Sequence, residues 1–487
     1  MRRFMFFSLI LLILAPLASS GGPAQDDPAQ DMRDWSRRQR DAFDNYVSEQ
    51  DREFAAFLSE AWREFDVAAG RVRDVTPKPH EVPRAPEPVT PPPPIADRPD
   101  VTPIMPLPDI APPPPPPSAR PGTSDLDLSF LGLVYRLPVD RELGDLSRGQ
   151  AGPDDAGRAW LAMSQTDSNP LVTAINHYVD ERHLGDWGQF KLIESLAYEL
   201  YPVDPSRRAL LHWHLAVRTG LDVRLAYGRP GYVVCYATET AVFQIHFLMH
   251  QKTAYYIHDP SDRFAESEKL RTYEGQGPGN LHPLRFDLAE LPLTEPDPVL
   301  RTLCWELNGQ QRETEVVTDR WLVTFLGSVP QTNLDSHFGS SLSPAALHSI
   351  AQSLAPDLES REPNAQVGVL LHFVQTAFPY STDLDQFGYE DYLYPDESLF
   401  HPACDCEDRA VLFAVLVREL VGLEVVGLDY PGHIAAAVAL PEDVPGDRFT
   451  YQDVRYTVCD PTYIGAGLGR SMPIAGSDRP GIIAVTG

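Results

Sequence analysis

Cys406, His433 and Asp460 follow one another in the last third of the chain. They are the residue types of a nucleophile, a base and an acid that orients the base. A thiol attacks a carbonyl well only after a neighbour takes its proton, and that neighbour needs a partner to fix its tautomer. Cys406 lies in the run His401-Pro402-Ala403-Cys404-Asp405-Cys406-Glu407-Asp408-Arg409-Ala410. It heads the segment CEDRAVLFAVLVRELV, Cys406–Val421, which is apolar nearly all round and predicts a buried helix. Asp405 is the expected N-cap, and Gly422 stands where a left-handed residue would end the helix. A helix N-terminus favours the thiolate.

Strands must bring the other two residues to that helix end. Leu423–Leu428 reads as a strand, Tyr430-Pro431-Gly432 as a turn, His433–Leu440 as a second strand and about 453–460 as a third. If the last two pair with Leu440 opposite Asp453, His433 falls opposite Asp460. Cross-strand side chains then stand about 5 Å apart. Bland readings of the same residues remain: an inert buried thiol, a turn histidine and a turn-forming aspartate before Pro461. A metal reading would gather His401, Cys404, Cys406, His433 and Cys459, although the Cys-x-Cys spacing is tighter than a zinc knuckle. The chain has five Cys, an odd number, so at least one thiol stays unpaired within it. A disulfide from Cys404 or Cys459 to Cys406 is conceivable, and the pairing of Cys235 with Cys304 is open.

Half of this pattern recurs upstream. Arg208-Ala209 matches Arg409-Ala410, Pro230-Gly231-Tyr232 matches Pro431-Gly432-His433, and the run Tyr256–Pro260 matches Thr457–Pro461, all at an offset of 201. His177-Tyr178-Val179 matches His372-Phe373-Val374 at an offset of 195. Matches in order at nearly one offset suggest an internal duplication. The first copy keeps Asp259 but has Pro205 and Tyr232 at the other two positions, so it reads as a structural or binding lobe. Helices at about 171–184 and 365–378 precede the two buried ones. Between the copies, Trp305–Leu307 and Trp321–Phe325 read as strands, with Asn308-Gly309 as a turn signal. Helices set against antiparallel strands give the fold class α+β.

The resemblance these residues carry, over about 365–465, is to the transglutaminase-like superfamily. Its members have a papain-like core with a Cys-His-Asp triad. DCEDRA, GLDYPGH and CDPTY look like secreted bacterial proteins with such a domain. The resemblance implies Cys406 as nucleophile, His433 as base and Asp460 as orienting acid, acting through a thioester. It implies a protein or peptide substrate and no metal or organic cofactor. Water would resolve the thioester in a peptidase or amidase, and an amine in a cross-linker. The oxyanion donors would be the Cys406 amide and, by analogy with an upstream family Gln, Gln375. An exposed helical Gln is the alternative reading at that position.

The chain has 487 residues, with 40 Lys+Arg against 69 Asp+Glu and a net charge of −29. Hydrophobic residues make up 43% of it, enough for packed domains rather than a disordered chain. The acidic balance argues against nucleic acid, which needs clustered Arg and Lys. Residues 1–20 pair two Arg with a short apolar run and small residues, the pattern of an export signal, and no later run is long enough to span a membrane. A secreted or periplasmic protein is expected. Residues 21–75 read as a helical stalk: Phe43, Phe54 and Phe65 recur every eleven residues over 31–73, a stripe through which copies could associate. Residues 76–122 form a Pro-rich linker. The expected head comprises a degenerate lobe (123–265), a β-rich connection (266–340) and a catalytic lobe (341–487). A non-catalytic surface scaffold is the competing reading of the whole.

Overall fold

The computed structural model describes residues 48–60, 62–72, 83–85, 123–147, 149–166, 168–264, 269–473 and 480–485. The expected export signal, the first part of the expected stalk with Phe43, and most of the Pro-rich segment lie outside the described residues. By internal contacts the chain divides into Met1–Gln50 and Asp51–Gly487. Of the first unit only residues 48–50 are described, and they are helical. The second unit is α+β, and its named strands pair antiparallel throughout.

Its first half contains the end of α1 (48–58), β1 (Arg63–Ala68), the hairpin β2 (Thr123–Phe130) and β3 (Leu133–Asp140), and four helices. These are α2 (Pro153–Gln165), α3 (Asn169–Glu181), α4 (Gly185–Leu200) and α5 (Pro205–Arg218). Strands β4 (Val223–Gly228), β5 (Gly231–Ala237), β6 (Phe247–His250), β7 (Thr253–His258) and β8 (Lys269–Thr272) follow, and with β1 they close a barrel in the order β1-β6-β7-β5-β4-β8. The connection carries a long hairpin, β9 (Pro298–Leu307) and β10 (Gln310–Asp319), then α6 (Arg320–Leu326) and α7 (Leu334–Phe338).

The second half has α8 (Pro344–Leu358), α9 (Pro363–Ala377), α10 (Asp383–Gln386), α11 (Pro395–Phe400) and α12 (Cys406–Val421). Its strands are β11 (Val425–Tyr430), β12 (His433–Val438), β13 (Arg448–Tyr451), β14 (Val454–Cys459) and β15 (Gly481–Ile483), in the order β13-β14-β12-β11-β15. Element for element this repeats β6-β7-β5-β4-β8 of the barrel. One helix–sheet unit therefore occurs twice, about 201 residues apart. The matching arginines make matching contacts. Arg208 donates to the carbonyl of Tyr201, the first residue after α4, and Arg409 to that of Phe378, the first residue after α9. The helix equivalent to α9 is therefore α4. The His177–His372 match had paired α9 with α3.

Each buried helix is the axis of its lobe. Every residue of α12 from Cys406 to Val417 is buried, and Gly422 ends it at φ 73°, in the left-handed region. In α5, Ala209–Val217 are buried, and Asp204 caps the helix by accepting from the Arg207 amide.

Two expected elements differ. Residues 31–73 do not form one helix: α1 stops at 58, and Arg63–Ala68 is a strand bonded to β6 and β8. REFDVA alternates Phe65 and Val67 with charged residues, a period-two pattern that the eleven-residue count concealed, and the barrel has an open slot for it. The described part of the expected stalk from Asp51 onward is thus part of the first lobe, with Phe54, Leu58 and Trp62 in its core. Trp321–Phe325 is helical rather than a strand, because the Asp319 carboxylate accepts from the Leu322 amide and starts α6 there. The Asn308-Gly309 turn lies where expected, with φ of 52° and 74° joining β9 to β10.

Candidate active site

His433 opens β12 and Asp460 follows the last residue of β14. The observed register pairs Ala436 with Cys459, Ala437 with Val458 and Val438 with Thr457, two residues from the register expected. A shift of two preserves side-chain parity, so His433 and Asp460 still share a face. The result is a contact of 2.9 Å between His433 Nε2 and Asp460 Oδ2. Asp460 is held on all sides. Its Oδ1 accepts from the Thr462 and Tyr463 amides, and its Oδ2 also accepts from the Met472 amide. A carboxylate surrounded by backbone donors can only accept from the imidazole, so Nε2 carries the proton. Nδ1 then holds the lone pair, and that atom is buried without a hydrogen-bond partner.

Cys406 is the first residue of α12, and the backbone amide of Ile434, next to His433, bonds to its sulfur. Its thiol donates to Glu407 Oε2 at 2.8 Å rather than to His433. Burial and the carboxylates of Glu407 and Asp405 push the thiol well above its ordinary pKa. The helix N-terminus alone led to the opposite expectation. The physical reason is that burial strips the sulfur of water and that the neighbouring carboxyls of Glu407 and Asp405 disfavour a thiolate beside them. Cys406, His433 and Asp460 are 1%, 2% and 0% exposed, so the arrangement is closed to solvent.

The acids form a shell. Asp383, Asp405, Asp408 and Glu397 are all raised, burial being the first cause, and Asp391 and Asp396 are pushed up to about 6 by burial. Oxygens of Asp383, Asp405 and Asp408 lie within 4.8 Å of one another, as do ligand atoms of Asp383, Glu390 and Glu407 and of Asp405, Cys406 and Glu407. Such sets could hold a hard cation, and they can equally share protons, which is what raised carboxyl pKa values describe. The nitrogen and sulfur set His401, Cys404, Cys406, His433 and Cys459 is not gathered into any metal-sized cluster among the described residues. All five cysteines are free thiols.

Gln375 is neither exposed nor an available oxyanion donor. It is 1% exposed, and its amide nitrogen reaches the carbonyls of Asp460, Tyr463 and Ala466 at 2.9–3.0 Å. Its oxygen accepts from Gly465. The two amide protons are therefore committed to backbone, and the side chain fixes the loop that carries Asp460. One difference in length is the only trace of the acid shell that a reading of the residues could have used. Only residues 201–204 separate α4 from α5, whereas 378–405 separate α9 from α12 and carry Tyr380, Asp383, Asp391 and Glu397.

Comparison with protein-family models, with curated proteins and with solved structures gives no match to this chain. The site therefore rests on its own geometry.

Proposed function

We propose that the C-terminal lobe is a thiol-dependent acyl-transfer centre of the transglutaminase-like, papain-like kind, acting on a protein or peptide amide. The observation that carries this reading is the buried His433–Asp460 pair, whose unpartnered Nδ1 is the basic nitrogen, beside the helix that begins with Cys406. In the reaction the thiol leaves Glu407 and gives its proton to His433 Nδ1. The sulfur bonds the carbonyl carbon, the Cys406 amide faces the oxyanion, and the C–N bond breaks as His433 returns the proton to the leaving amine. Water then attacks the thioester, with His433 again accepting the proton and the thiolate leaving. Hydrolysis is preferred to cross-linking because water is the abundant acyl acceptor outside a cell. An export signal at 1–20 would place the reaction outside the cytoplasm. Among the described residues no helix is long and apolar enough to cross a membrane.

The burial of all three residues favours a second reading, a scaffold that keeps the constellation without using it. An activated ester separates the two. With p-nitrophenyl acetate, the enzyme reading expects acetylation at Cys406, mapped by mass spectrometry. Replacing His433 by Ala should slow it by about a hundredfold or more. A folded protein in which Cys406 is not acetylated, or is acetylated equally fast in His433→Ala, is the scaffold.

A further inference from the structure

The first lobe has a pocket at the place where the second has its triad. The pocket is lined by Pro205 and Arg208 of α5, by Val233 of β5 and by Asp259 at the end of β7, and is a small cavity of about 40 Å³ that opens to solvent. Pro205 and Asp259 are the counterparts of Cys406 and Asp460. The imidazole that occupies the Asp460 carboxylate has no equivalent, because Tyr232 sends its hydroxyl away to Gly152 and Asp155. Buried polar atoms around this pocket are left unpaired. Asp259 Oδ2 accepts from the Phe264 amide, but Oδ1 has no hydrogen-bond partner. Arg263 Nε stands 3.8 Å from that oxygen, too far to bond it, and is itself buried and unpartnered. His212, only 4% exposed, also lines the pocket, and its Nε2 has no partner. The other nitrogen of His212 donates to the Phe190 carbonyl, so Nε2 is an acceptor.

These atoms make two acceptors and one donor. An unpaired buried polar atom is costly, and three around one pocket call for a group that satisfies all of them. The charges already balance. Of the lining groups two are carboxylates, Glu194 and Asp259, and two are guanidiniums, Arg208 and Arg263; Glu194 also contacts His258, and Arg208 lies over the Tyr198 ring. An anion would meet the Asp259 and Glu194 carboxylates, and a cation would meet both arginines. Ala197, Ala209, Val233 and Val234 supply apolar walls.

We propose that this pocket binds a neutral amide, its N–H groups donating to Asp259 Oδ1 and His212 Nε2 and its oxygen accepting from Arg263 Nε. Two N–H groups on one nitrogen mean a primary carboxamide, that of an Asn or Gln side chain, because a peptide bond has only one. The lobe without a triad is then a recognition module, independent of whether the other lobe is catalytic.

The test uses the full chain carrying Cys406→Ala, so that turnover cannot contribute. Propionamide stands for the carboxamide, N-acetylglycine N-methylamide, whose amides have one N–H each, is the peptide control, and propionate and propylammonium are charged counterparts of equal size. Binding is read from the His212 Nε2 resonance in histidine-labelled protein. The expected result is a saturable shift with propionamide, on the order of millimolar for so small a probe, and none with the ions. The peptide, which leaves one acceptor unpaired, should bind more weakly than propionamide. Asp259→Asn keeps the shape and the Phe264 contact but turns a donor toward the ligand, and should weaken binding about tenfold. No shift with propionamide, an equal shift with the peptide or with either ion, or unchanged affinity in a folded Asp259→Asn protein overturns the proposal.

Discussion

Glu407 controls the state of the thiol in this structure. After burial, its charge is the largest cause holding Cys406 protonated, and its carboxylate is the acceptor that keeps the thiol from His433. The sign follows directly. A raised thiol pKa leaves little thiolate at neutral pH, so alkylation should accelerate only as pH climbs past the ordinary thiol range of about 8.5. Glu407→Gln removes the negative charge and offers an N–H to the sulfur, so the thiol pKa falls. At about pH 8 iodoacetamide labelling of Cys406 should then rise roughly tenfold, the effect of about one pKa unit. A pH profile of labelling that is the same in both proteins would mean that Glu407 does not set the thiol's state. The acid would then be only part of the shell.

The element that matters most to the site is the loop from Asp460 to Ala466, and Gln375 of α9 is its fastening. Gln375→Leu fills the same volume but leaves the Ala466 carbonyl and the Gly465 amide without partners, and takes one of two hydrogen bonds from the Asp460 and Tyr463 carbonyls. The expected cost is about 2–4 kcal/mol of stability, by the usual penalty for unpaired buried groups, read as a lowered melting temperature. Acetylation of Cys406 should fall as well, because Asp460 is no longer held against His433. Wild-type stability and rate in Gln375→Leu would show that Asp460's own backbone donors suffice to hold it. How much of this was legible follows from what each signal encodes. The bounds of α12, its glycine stop and the pairing of His433 with Asp460 were readable because they depend on local apolar runs and on strand parity. Parity survived an error of two in the register, since alternation is blind to even shifts. Gln375 was misread in both directions because its four partners lie 85–91 residues away along the chain. No local pattern marks such a contact. Trp321–Phe325 failed for a smaller reason: aromatic and branched residues suit strands, and a single cap by Asp319 outweighed that preference.

On the scale of the whole molecule, the boundary of the first lobe is the point where sequence and structure part most. Composition places a Pro-rich linker between a stalk and a head that starts near 123, yet the lobe is completed from the far side of that linker. Strand β1 pairs both β6 and β8 and closes the barrel. Phe54 packs edge-on against Trp160, and Asp51 takes hydrogen bonds from Trp160 Nε1 and Arg218. Leu58 is 0% exposed, and Trp62 donates to the Leu58 carbonyl. Removing a fully buried Leu, Phe or Trp side chain costs about 2–5 kcal/mol each, against a total domain stability of about 5–15 kcal/mol. A chain that begins at residue 123 therefore loses more than its first lobe can spare, and leaves two unpaired strand edges open to aggregation. The expected outcome is loss of the cooperative melt of that lobe, with dye binding to exposed apolar surface, while Leu58→Ala in the full chain should lower its melting temperature without abolishing it. If the chain starting at 123 stays monodisperse and melts as the full chain does, residues 51–72 are an appendage, and the barrel does not need its sixth strand.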